Sequence, residues 1–188
     1  MNICVFAGSS SGAKPAYREA AQALGKAIAE RDLGVIYGGA TVGLMGAMAD
    51  AAIEAGGTVI GVLPQALADR ELAHEGLTRL EIVGSMHERK ARMIELADGF
   101  VVLPGGLGSL EEAFEVLTWS QLGIHAKAVG LLDVEGFYDD LEKFLDHLVD
   151  EAFVKQIHRD NLLSDSNPGR LIERILAKEV ALQGKWID

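Results

Sequence analysis

Residues 104–112, with the sequence Pro-Gly-Gly-Leu-Gly-Ser-Leu-Glu-Glu, combine a glycine-rich loop with two acids. They follow an apolar run that predicts a buried strand, and they lead into a helical pattern. Glycines let the backbone approach a ligand closely because they carry no β-carbon. The start of the following helix offers unpaired N–H groups and the positive end of a dipole, which favour a phosphate. This loop is therefore a candidate phosphate site.

The same residues also fit a purely structural role. Ser109 and Glu112 have the Ser-x-x-Glu spacing of a capping box, with Ser109 as the N-cap and Glu112 at position N3. Judged from spacing alone, the cap is the favoured interpretation. The two roles conflict, because a carboxylate that is engaged with the cap amide is less free to reach a substrate.

A predicted helix over residues 85–97 places two cations on or beside the apolar stripe that should face the sheet. Arg89 lies four residues before Met93, and Lys90 lies three residues before it. A cation removed from water needs a partner. In one interpretation the stems are buried and the charged heads reach water. In the other, both cations point into a pocket and meet an anion, and the sequence leaves both interpretations open.

Two further glycine-rich loops follow predicted strands. Residues 8–12 match the Gly-x-Ser-x-Gly pattern of a hydrolase nucleophile elbow, but they follow the first strand, whereas such elbows come after several strands. We interpret them as a serine-rich turn in which Ser9 and Ser10 could contact a phosphate. The loop at 39–46 lacks Gly-x-Gly-x-x-Gly, and no acid ends the strand before it, which disfavours an NAD-type site. For Gly43, a tight turn and a ligand contact stay equally open.

The sequence predicts no metal site. Cys4 is the single cysteine, so an intramolecular disulfide and a cysteine metal cluster are excluded. The five histidines show no His-Glu-x-x-His or other ligand spacing, and scattered surface positions are the ordinary interpretation.

Apolar runs alternate with helical patterns through most of the chain. Short, continuously apolar strands are typical of a parallel sheet that is covered on both faces. Alternation with helices predicts right-handed βαβ units and an α/β fold, a Rossmann-like doubly wound parallel sheet flanked by helices on both faces. Ligands of such sheets bind at the carboxyl ends of the strands, so the three glycine loops should share that edge. Strands are predicted at 2–7, 34–37, 58–63, 80–83, 100–103, 128–132 and 161–164, and helices at 16–32, 44–55, 85–97, 110–122, 137–151 and 168–182.

Length and composition restrict the class of protein. The 188 residues, 49% of them hydrophobic, suit one compact domain spanning residues 1–188. The net charge of −11 argues against a general nucleic-acid or anionic-membrane binder, which needs a basic face. It does not exclude a small anionic ligand. No apolar run long enough to span a membrane and no signal-peptide pattern is present, so a cytoplasmic protein is expected.

Two separated motifs, Met-His-Glu-Arg-Lys at 86–90 and the loop at 104–112, agree in order and spacing with the Lonely Guy family, which the chain resembles over most of its length. These proteins are cytokinin riboside 5′-monophosphate phosphoribohydrolases with the signature PGGxGTxxE. Ser109 stands in place of the motif threonine and keeps the hydroxyl, Ala40 replaces a frequent glycine, and Ala128 replaces a frequent proline. The likeness extends to three more segments, at 5–10, 37–46 and 118–125.

The resemblance implies a Rossmann-like homodimer that needs no cofactor and no metal. Its substrate would be a purine nucleoside 5′-monophosphate, either a cytokinin riboside 5′-monophosphate or AMP, cut at the N-glycosidic bond into free base and ribose 5-phosphate. Arg89 and Glu112 would be catalytic. The residues implied to touch the substrate are Glu71, Arg89, Lys90, Gly106, Leu107, Gly108, Ser109, Leu110, Glu111, Glu112 and Thr118. Ser9, Ser10 and Gly43 are additional candidates for phosphate contacts.

Other functions stay open at this point. A nucleotide-binding or sensing protein could use the same glycine loops without chemistry and would need no carboxylate near the sugar. A P-loop nucleotide enzyme is disfavoured because Gly-x4-Gly-Lys-[Ser/Thr] is absent. Relatives of the family often carry the label lysine decarboxylase, but nothing in the sequence marks a lysine that would hold pyridoxal phosphate.

Overall fold

The computed structural model describes residues 1–70 and 73–181, which contain one seven-stranded sheet. The strands are β1 (Asn2–Phe6), β2 (Gly34–Tyr37), β3 (Val59–Pro64), β4 (Arg79–Val83), β5 (Gly99–Val102), β6 (Val129–Leu132) and β7 (Leu162–Asp165). Their order across the sheet is β4-β3-β2-β1-β5-β6-β7, and all neighbouring strands are parallel. A parallel sheet requires helical crossovers, as the alternating pattern of the sequence predicts.

Helices cover both faces of the sheet. They are α1 (Pro15–Ala29), α2 (Gly43–Glu54), α3 (Gln65–Ala68), α4 (Met86–Leu96), α5 (Leu107–Gln121), α6 (Asp139–Asp150), α7 (Gln156–Arg159) and α8 (Pro168–Ala177). One core cluster holds Leu24 of α1 and Leu171 of α8, and the other holds Met93 of α4 and Val116 of α5. Strands β1, β2, β5 and β6 are almost wholly buried because they are covered on both faces. The predicted doubly wound α/β fold is therefore confirmed.

The strand order reverses between β1 and β5, which is where such sheets bind ligands. The loops that follow these two strands are joined by a hydrogen bond of 3.2 Å from the Gly8 N–H to the Pro104 carbonyl. At the start of α2, the Leu44 N–H donates to the Gly8 carbonyl at 3.0 Å. The three glycine-rich loops therefore meet at the carboxyl edge of the sheet, as predicted.

Some boundaries differ from those predicted by the sequence. Helix α5 begins at Leu107, three residues before the predicted start at 110, because Gly106 already has the extended backbone of an N-cap. The sequence does not predict α3 or α7, since four residues are too few to produce a helical period. Helix α8 ends at Ala177, so the predicted continuation over residues 178–181 is wrong, and residue 182 lies outside the described residues.

Two kinds of feature are absent from residues 1–70 and 73–181. No helix in them has both the length and the apolar character needed to cross a bilayer. Nor do they contain a group of three or more His, Cys, Asp or Glu side chains that could hold a metal ion. Cys4 is buried within β1, and this burial raises the pKa of its thiol.

Candidate active site

Arg89 of α4 and Glu112 of α5 form a largely buried ion pair. Arg89 Nη2 lies 3.3 Å from Glu112 Oε1, and each side chain is 12% exposed. Helix α4 is capped by Ser85, whose hydroxyl accepts a hydrogen bond of 3.1 Å from the Glu88 N–H. This cap fixes where α4 begins and therefore the direction in which Arg89 points.

The guanidinium of Arg89 packs against the backbone that follows β2. A β-carbon at Gly38 would overlap Arg89 Nη2, so glycine at this position leaves room for the guanidinium where it lies. Nη1 contacts the Met86 sulfur, a weak acceptor, at 3.2 Å. Nε is buried and has no hydrogen-bond partner among the described residues. Because a guanidinium carries five N–H donors, Arg89 keeps unused donors for an anionic ligand.

The carboxyl group of Glu112 has an altered acidity. Burial raises its pKa above the usual value, the positive charge of Arg89 opposes this shift, and the negative charge of Glu111 adds to it. Since burial dominates, the ionised form is less stable here than it is in water. A carboxylate of this kind takes up a proton more readily than an exposed one, which suits a general base.

Lys90, next to Arg89 on α4, is engaged by two other acids of α5. Its Nζ lies 2.5 Å from Glu111 Oε1 and 3.1 Å from Glu115 Oε1, and its side chain is 10% exposed. The hydrogen bond to Glu111 is the main cause that raises the pKa of the Lys90 ammonium group. Neither Lys90 nor Arg89 extends its head into water, because both pair with carboxylates of α5. The anions that they meet here belong to the protein itself, and their pointing into a ligand pocket stays a prediction.

Glu115 belongs to this cluster, although the sequence analysis does not single it out. Its side chain is 21% exposed, and its Oε2 is buried without a hydrogen-bond partner in the described structure. It follows Glu111 by four residues, so both acids lie on one face of α5. The four-residue spacing of the two acids can be seen in the sequence. It identifies Glu115 as a site residue only once the structure shows that Lys90 of α4 lies against both acids.

The start of α5 differs from the capping box that its spacing predicts. Gly106 is the N-cap, with φ −93° and ψ −155°, and no side chain caps the helix. Ser109 is buried within the first turn, and its hydroxyl packs so closely on Gly105 that a β-carbon there would clash. Glu112 lies in the second turn. The capping-box prediction is therefore wrong, and the first-turn N–H groups have no partner within the helix.

The other residues of this turn have different surroundings. Leu107 is 86% exposed, and a β-carbon at Gly106 or Gly108 would meet no atom within 4 Å. Leu110 instead packs against the hydrophobic core. The outer side of the turn is therefore open to a ligand or to another protein surface.

The first and third glycine loops enclose a cavity of about 290 Å³. Ser9 and Ser10 line it from the first loop, and Gly106 lines it from the third. The rings of Tyr17 and Phe137 also line it, and they contact each other edge to face with centroids 5.6 Å apart. Because Gly106 is the N-cap of α5, the uncapped start of the helix borders this cavity.

Two predicted site residues lie outside this arrangement. Gly43 has φ +60°, and a β-carbon there would overlap the backbone of Ser9, so its observed contact is support of the first loop. Thr118 follows Glu112 by six residues, about 9 Å further along α5. It lines a different cavity, between α5 and the helices that follow. Glu71 lies outside the described residues.

Comparison with known proteins identifies the family. Residues 45–175 match a family profile described as possible lysine decarboxylase. A cytokinin riboside 5′-monophosphate phosphoribohydrolase of Arabidopsis thaliana is 48% identical over 173 residues, which is 92% of this chain and 80% of the relative. The chain belongs to this phosphoribohydrolase family. A member from Oryza sativa subsp. japonica is 46% identical and matches 92% of this chain and 72% of its own length. The predicted family resemblance is confirmed.

Solved structures of proteins with lower sequence identity to this member of the phosphoribohydrolase family share its fold. The molybdenum cofactor binding protein of Rippkaea orientalis has a TM-score of 0.70 at 23% identity, covering 93% of this chain and 94% of that one. The molybdenum cofactor carrier protein of Chlamydomonas reinhardtii has a TM-score of 0.71 at 22% identity, covering 94% and 98%. At such identity the likeness supports the α/β architecture alone.

Proposed function

We propose that the protein hydrolyses the N-glycosidic bond of a cytokinin riboside 5′-monophosphate and releases the free base and ribose 5-phosphate. The names of relatives that are 44–48% identical support this activity. The observation that carries the proposal is the buried Arg89–Glu112 pair, which lies within two turns of the uncapped, glycine-rich start of α5. An acid and a cation thus accompany a phosphate-type loop.

The 5′-phosphate binds at the start of α5. The N–H groups of Leu107, Gly108 and Ser109 have no partner within the helix, and the helix dipole favours an anion there. Ser9 and Ser10 line the adjoining cavity and add hydroxyl donors. Phosphate binding makes no bond at the sugar carbon C1′, so its contribution is to position the ribose for the reaction.

Glu112 acts at the sugar. Cleavage of a glycosidic bond passes through an oxocarbenium-like state with positive charge on the ribose. The ionised carboxylate stabilises that charge, and its raised pKa lets it accept a proton from the attacking water. The water oxygen bonds to C1′ as the bond from C1′ to the base nitrogen breaks. The base leaves with that electron pair and takes up a proton.

Arg89 positions Glu112 and contacts the substrate. The ion pair holds the carboxylate in place, and the unused guanidinium donors bind phosphate or ribose oxygens through charge-assisted hydrogen bonds. Lys90 adds positive potential, although Glu111 and Glu115 neutralise much of it.

The lysine decarboxylase description of the matching profile finds no support in the buried lysine. A lysine that holds pyridoxal phosphate must lose a proton before its amine can form a Schiff base. The hydrogen bond to Glu111 raises the pKa of Lys90 and so favours the charged form. Lys90 is therefore suited to provide charge rather than to act as a nucleophile.

AMP is a second proposed substrate. The contacts assigned above involve the phosphate and the ribose, which AMP shares with nucleotides whose N6 amino group carries a substituent. Because discrimination between these nucleotides depends on a side pocket for that substituent, we expect cleavage of both classes, at rates that such a pocket sets.

The active form is proposed to be a homodimer. Helix α5, α4 and the loop after α5 expose large apolar side chains, a pattern typical of protein interfaces. They are Met86, Leu107, Phe114, Leu122 and Ile124. Thr118 lies on the same face of α5 as Phe114, one turn further along. It is too far from Glu112 of its own copy to contact the same substrate. A second copy packed on this face would supply Thr118 to the site. Light scattering should show twice the chain mass, and Phe114→Asp should give monomers.

Product chromatography tests the proposed reaction directly. The purified protein is incubated with isopentenyl-AMP, AMP and adenosine, and the released bases are quantified. Base release from both nucleotides and none from adenosine is expected, since adenosine lacks the phosphate that positions the sugar. Equal rates on AMP and adenosine would overturn the role of the phosphate. Nucleotide binding in a thermal-shift assay with no base released over hours would favour a non-catalytic nucleotide-binding protein.

A further inference from the structure

A second cavity, of about 180 Å³, lies between α5, α6, α7 and the start of β7. Its walls are mostly apolar and include Leu117, Leu145, Leu148, Val154 and Leu162. Ser120, which also lines it, follows Glu112 by eight residues and so lies about 12 Å further along α5. Helices in a parallel sheet run against the strands, so this cavity is at the opposite edge of the sheet from the glycine loops.

Two polar side chains in this apolar cavity have no partner. His158 is 9% exposed, and neither of its ring nitrogens has a hydrogen-bond partner among the described residues. Ser120 is 5% exposed, and its hydroxyl is unpartnered in the same way. Buried polar groups are nearly always hydrogen bonded, and leaving one unpaired destabilises the fold. Two such groups in one cavity therefore indicate that a bound molecule supplies their hydrogen-bond partners.

The character of the missing partner follows from the charge of these groups. Burial lowers the pKa of the His158 ring, so the ring is neutral at pH 7 and offers one donor and one acceptor. Two other polar groups of the lining, Arg159 and Asn161, are already engaged. Arg159 pairs with Asp146 at 2.7 Å, and the Asn161 side chain exchanges two hydrogen bonds with the backbone of Ala181. What remains unpaired is neutral, so a charged ligand finds no partner.

We propose that this cavity is a binding site for a compact neutral amphiphile, an aromatic or branched aliphatic alcohol. Its ring or chain would fill the leucine-lined part, and its hydroxyl would hydrogen bond to His158 and Ser120. A cavity of about 150 Å³ is enough to hold benzene, so the present volume accommodates a ring with one polar substituent. Phe114 and Thr118, which also line the cavity, belong to the face on which we propose that a second copy packs. The contacts with His158 and Ser120 lie away from the glycine loops and do not depend on the reaction assigned to them.

Phenol and benzene are matched probes for this site, because they differ by one hydroxyl group. The full-length protein is labelled with ¹⁵N-histidine, and its five histidines are followed by NMR during titration. Phenol should shift the ring nitrogens of His158 and should bind about tenfold more tightly than benzene, the gain expected for one hydrogen bond to a buried neutral partner. A His158 signal that moves with neither probe, or equal affinity for both probes, would overturn the proposal.

Variants separate the polar contacts from the shape of the cavity. Ser120→Ala and His158→Gln should each reduce the advantage of phenol over benzene, while His147→Gln, at an exposed position on α6, should leave it unchanged. Leu148→Phe fills the cavity and should abolish binding of both probes; melting temperatures confirm that each variant is folded. A crystal structure grown with phenol that shows only ordered water between His158 and Ser120 would also overturn the proposal.

Discussion

Arg89 and Lys90 are adjacent on α4 and face the same acidic stretch of α5, yet their surroundings differ. Lys90 is paired with two carboxylates, one of them 56% exposed, and it ties the two helices together. Arg89 meets a single carboxylate at 3.3 Å, contacts the Met86 thioether and keeps a buried Nε that has no hydrogen-bond partner in the part of the chain that the structure describes. Lys90 therefore has its donors engaged by carboxylates, whereas Arg89 beside it keeps donors that are not used. The unused donors of Arg89 indicate where a ligand binds.

The acids that pair with Lys90 and Arg89 also differ in their exposure to solvent. Glu111 is largely in water, whereas Glu112 is 12% exposed and burial raises its pKa. An ion pair whose acid is largely in water contributes only modestly to stability. A buried acid with an altered pKa beside a cation with unused donors is typical of an active site. The comparison therefore assigns chemistry to the Arg89–Glu112 pair and structural support to Lys90.

Glu112→Gln should have the largest effect. Removal of the proposed general base is expected to lower the turnover of AMP by about 10³-fold, within the range known for such groups. The fold should persist, because the amide oxygen can still accept a hydrogen bond from Arg89. Base release measured by chromatography gives the rate, and thermal unfolding followed by circular dichroism gives the stability.

The pH dependence of stability sharpens this test. Because the pKa of native Glu112 is raised, the stability contributed by its neutral form is present below the usual value of 4.5 and is lost as the pH rises through the raised value. Glutamine stays neutral throughout. The melting temperature of the variant relative to the wild type should therefore rise as the pH is raised above the usual value of 4.5 and through the raised pKa. A variant that melts earlier and keeps its rate would instead make Glu112 a structural residue.

Exchanging the two cations tests the contrast between them. Arg89→Lys keeps the charge but removes the planar fork of donors, and we expect kcat/KM for AMP to fall about 10²-fold. Lys90→Arg keeps the charge and can still reach Glu111 and Glu115, so its kcat/KM should stay within about threefold. Equal losses in the two variants would show that the cations have the same role.

Gly38→Ala should reproduce part of the Arg89 effect without touching a charge. The added β-carbon would overlap Arg89 Nη2 and displace the guanidinium. Small displacements of catalytic groups can cost about 10²-fold, so a loss of about tenfold in kcat/KM is expected. In an Arg89→Lys background the same change should add little, because the group it displaces is gone. Full additivity would mean that Gly38 acts through backbone stability.

Much of the fold was predictable because it depends on local patterns. Continuously apolar strands indicate a sheet covered on both faces, and parallel strands place every strand-to-helix loop at one edge. The positions of Arg89 and Lys90 on the apolar side of α4 also followed from helical spacing. What they meet did not, since pairing between α4 and α5 depends on how two helices pack across the sheet.

Short motifs were the weakest part of the sequence analysis. Ser109 and Glu112 have the spacing of a capping box, yet Gly106 starts the helix three residues earlier and leaves the cap position to glycine. The same spacing of Ser109 and Glu112 occurs whether the helix begins at Gly106 or at Ser109, so the sequence alone does not distinguish the two helix starts. His158 and Ser120 carried no signal at all, because 38 residues separate two side chains that line one cavity.

Glu115→Gln should have the smallest effect and tests the electrostatics of the whole cluster. Burial is the main cause of the raised pKa of Glu112, and the negative charge of Glu115 adds to it. Removing that charge, which also leaves Lys90 less neutralised, should favour ionised Glu112 and lower its pKa. Since the proposed base must be ionised, the acid limb of the kcat/KM profile should move to lower pH while the plateau stays unchanged.

A matched control keeps this last effect interpretable. Glu95→Gln removes an acid from α4 that pairs with Arg92 at 2.7 Å and has no part in the Glu112 environment. It changes the net charge equally and should leave the acid limb in place. If both variants moved the limb by the same amount, the shift would reflect overall charge. The acid limb could also stay in place in Glu115→Gln while Glu112→Gln is inactive. Glu115 would then act only as an ion-pair partner of Lys90, with no influence on the pKa of Glu112.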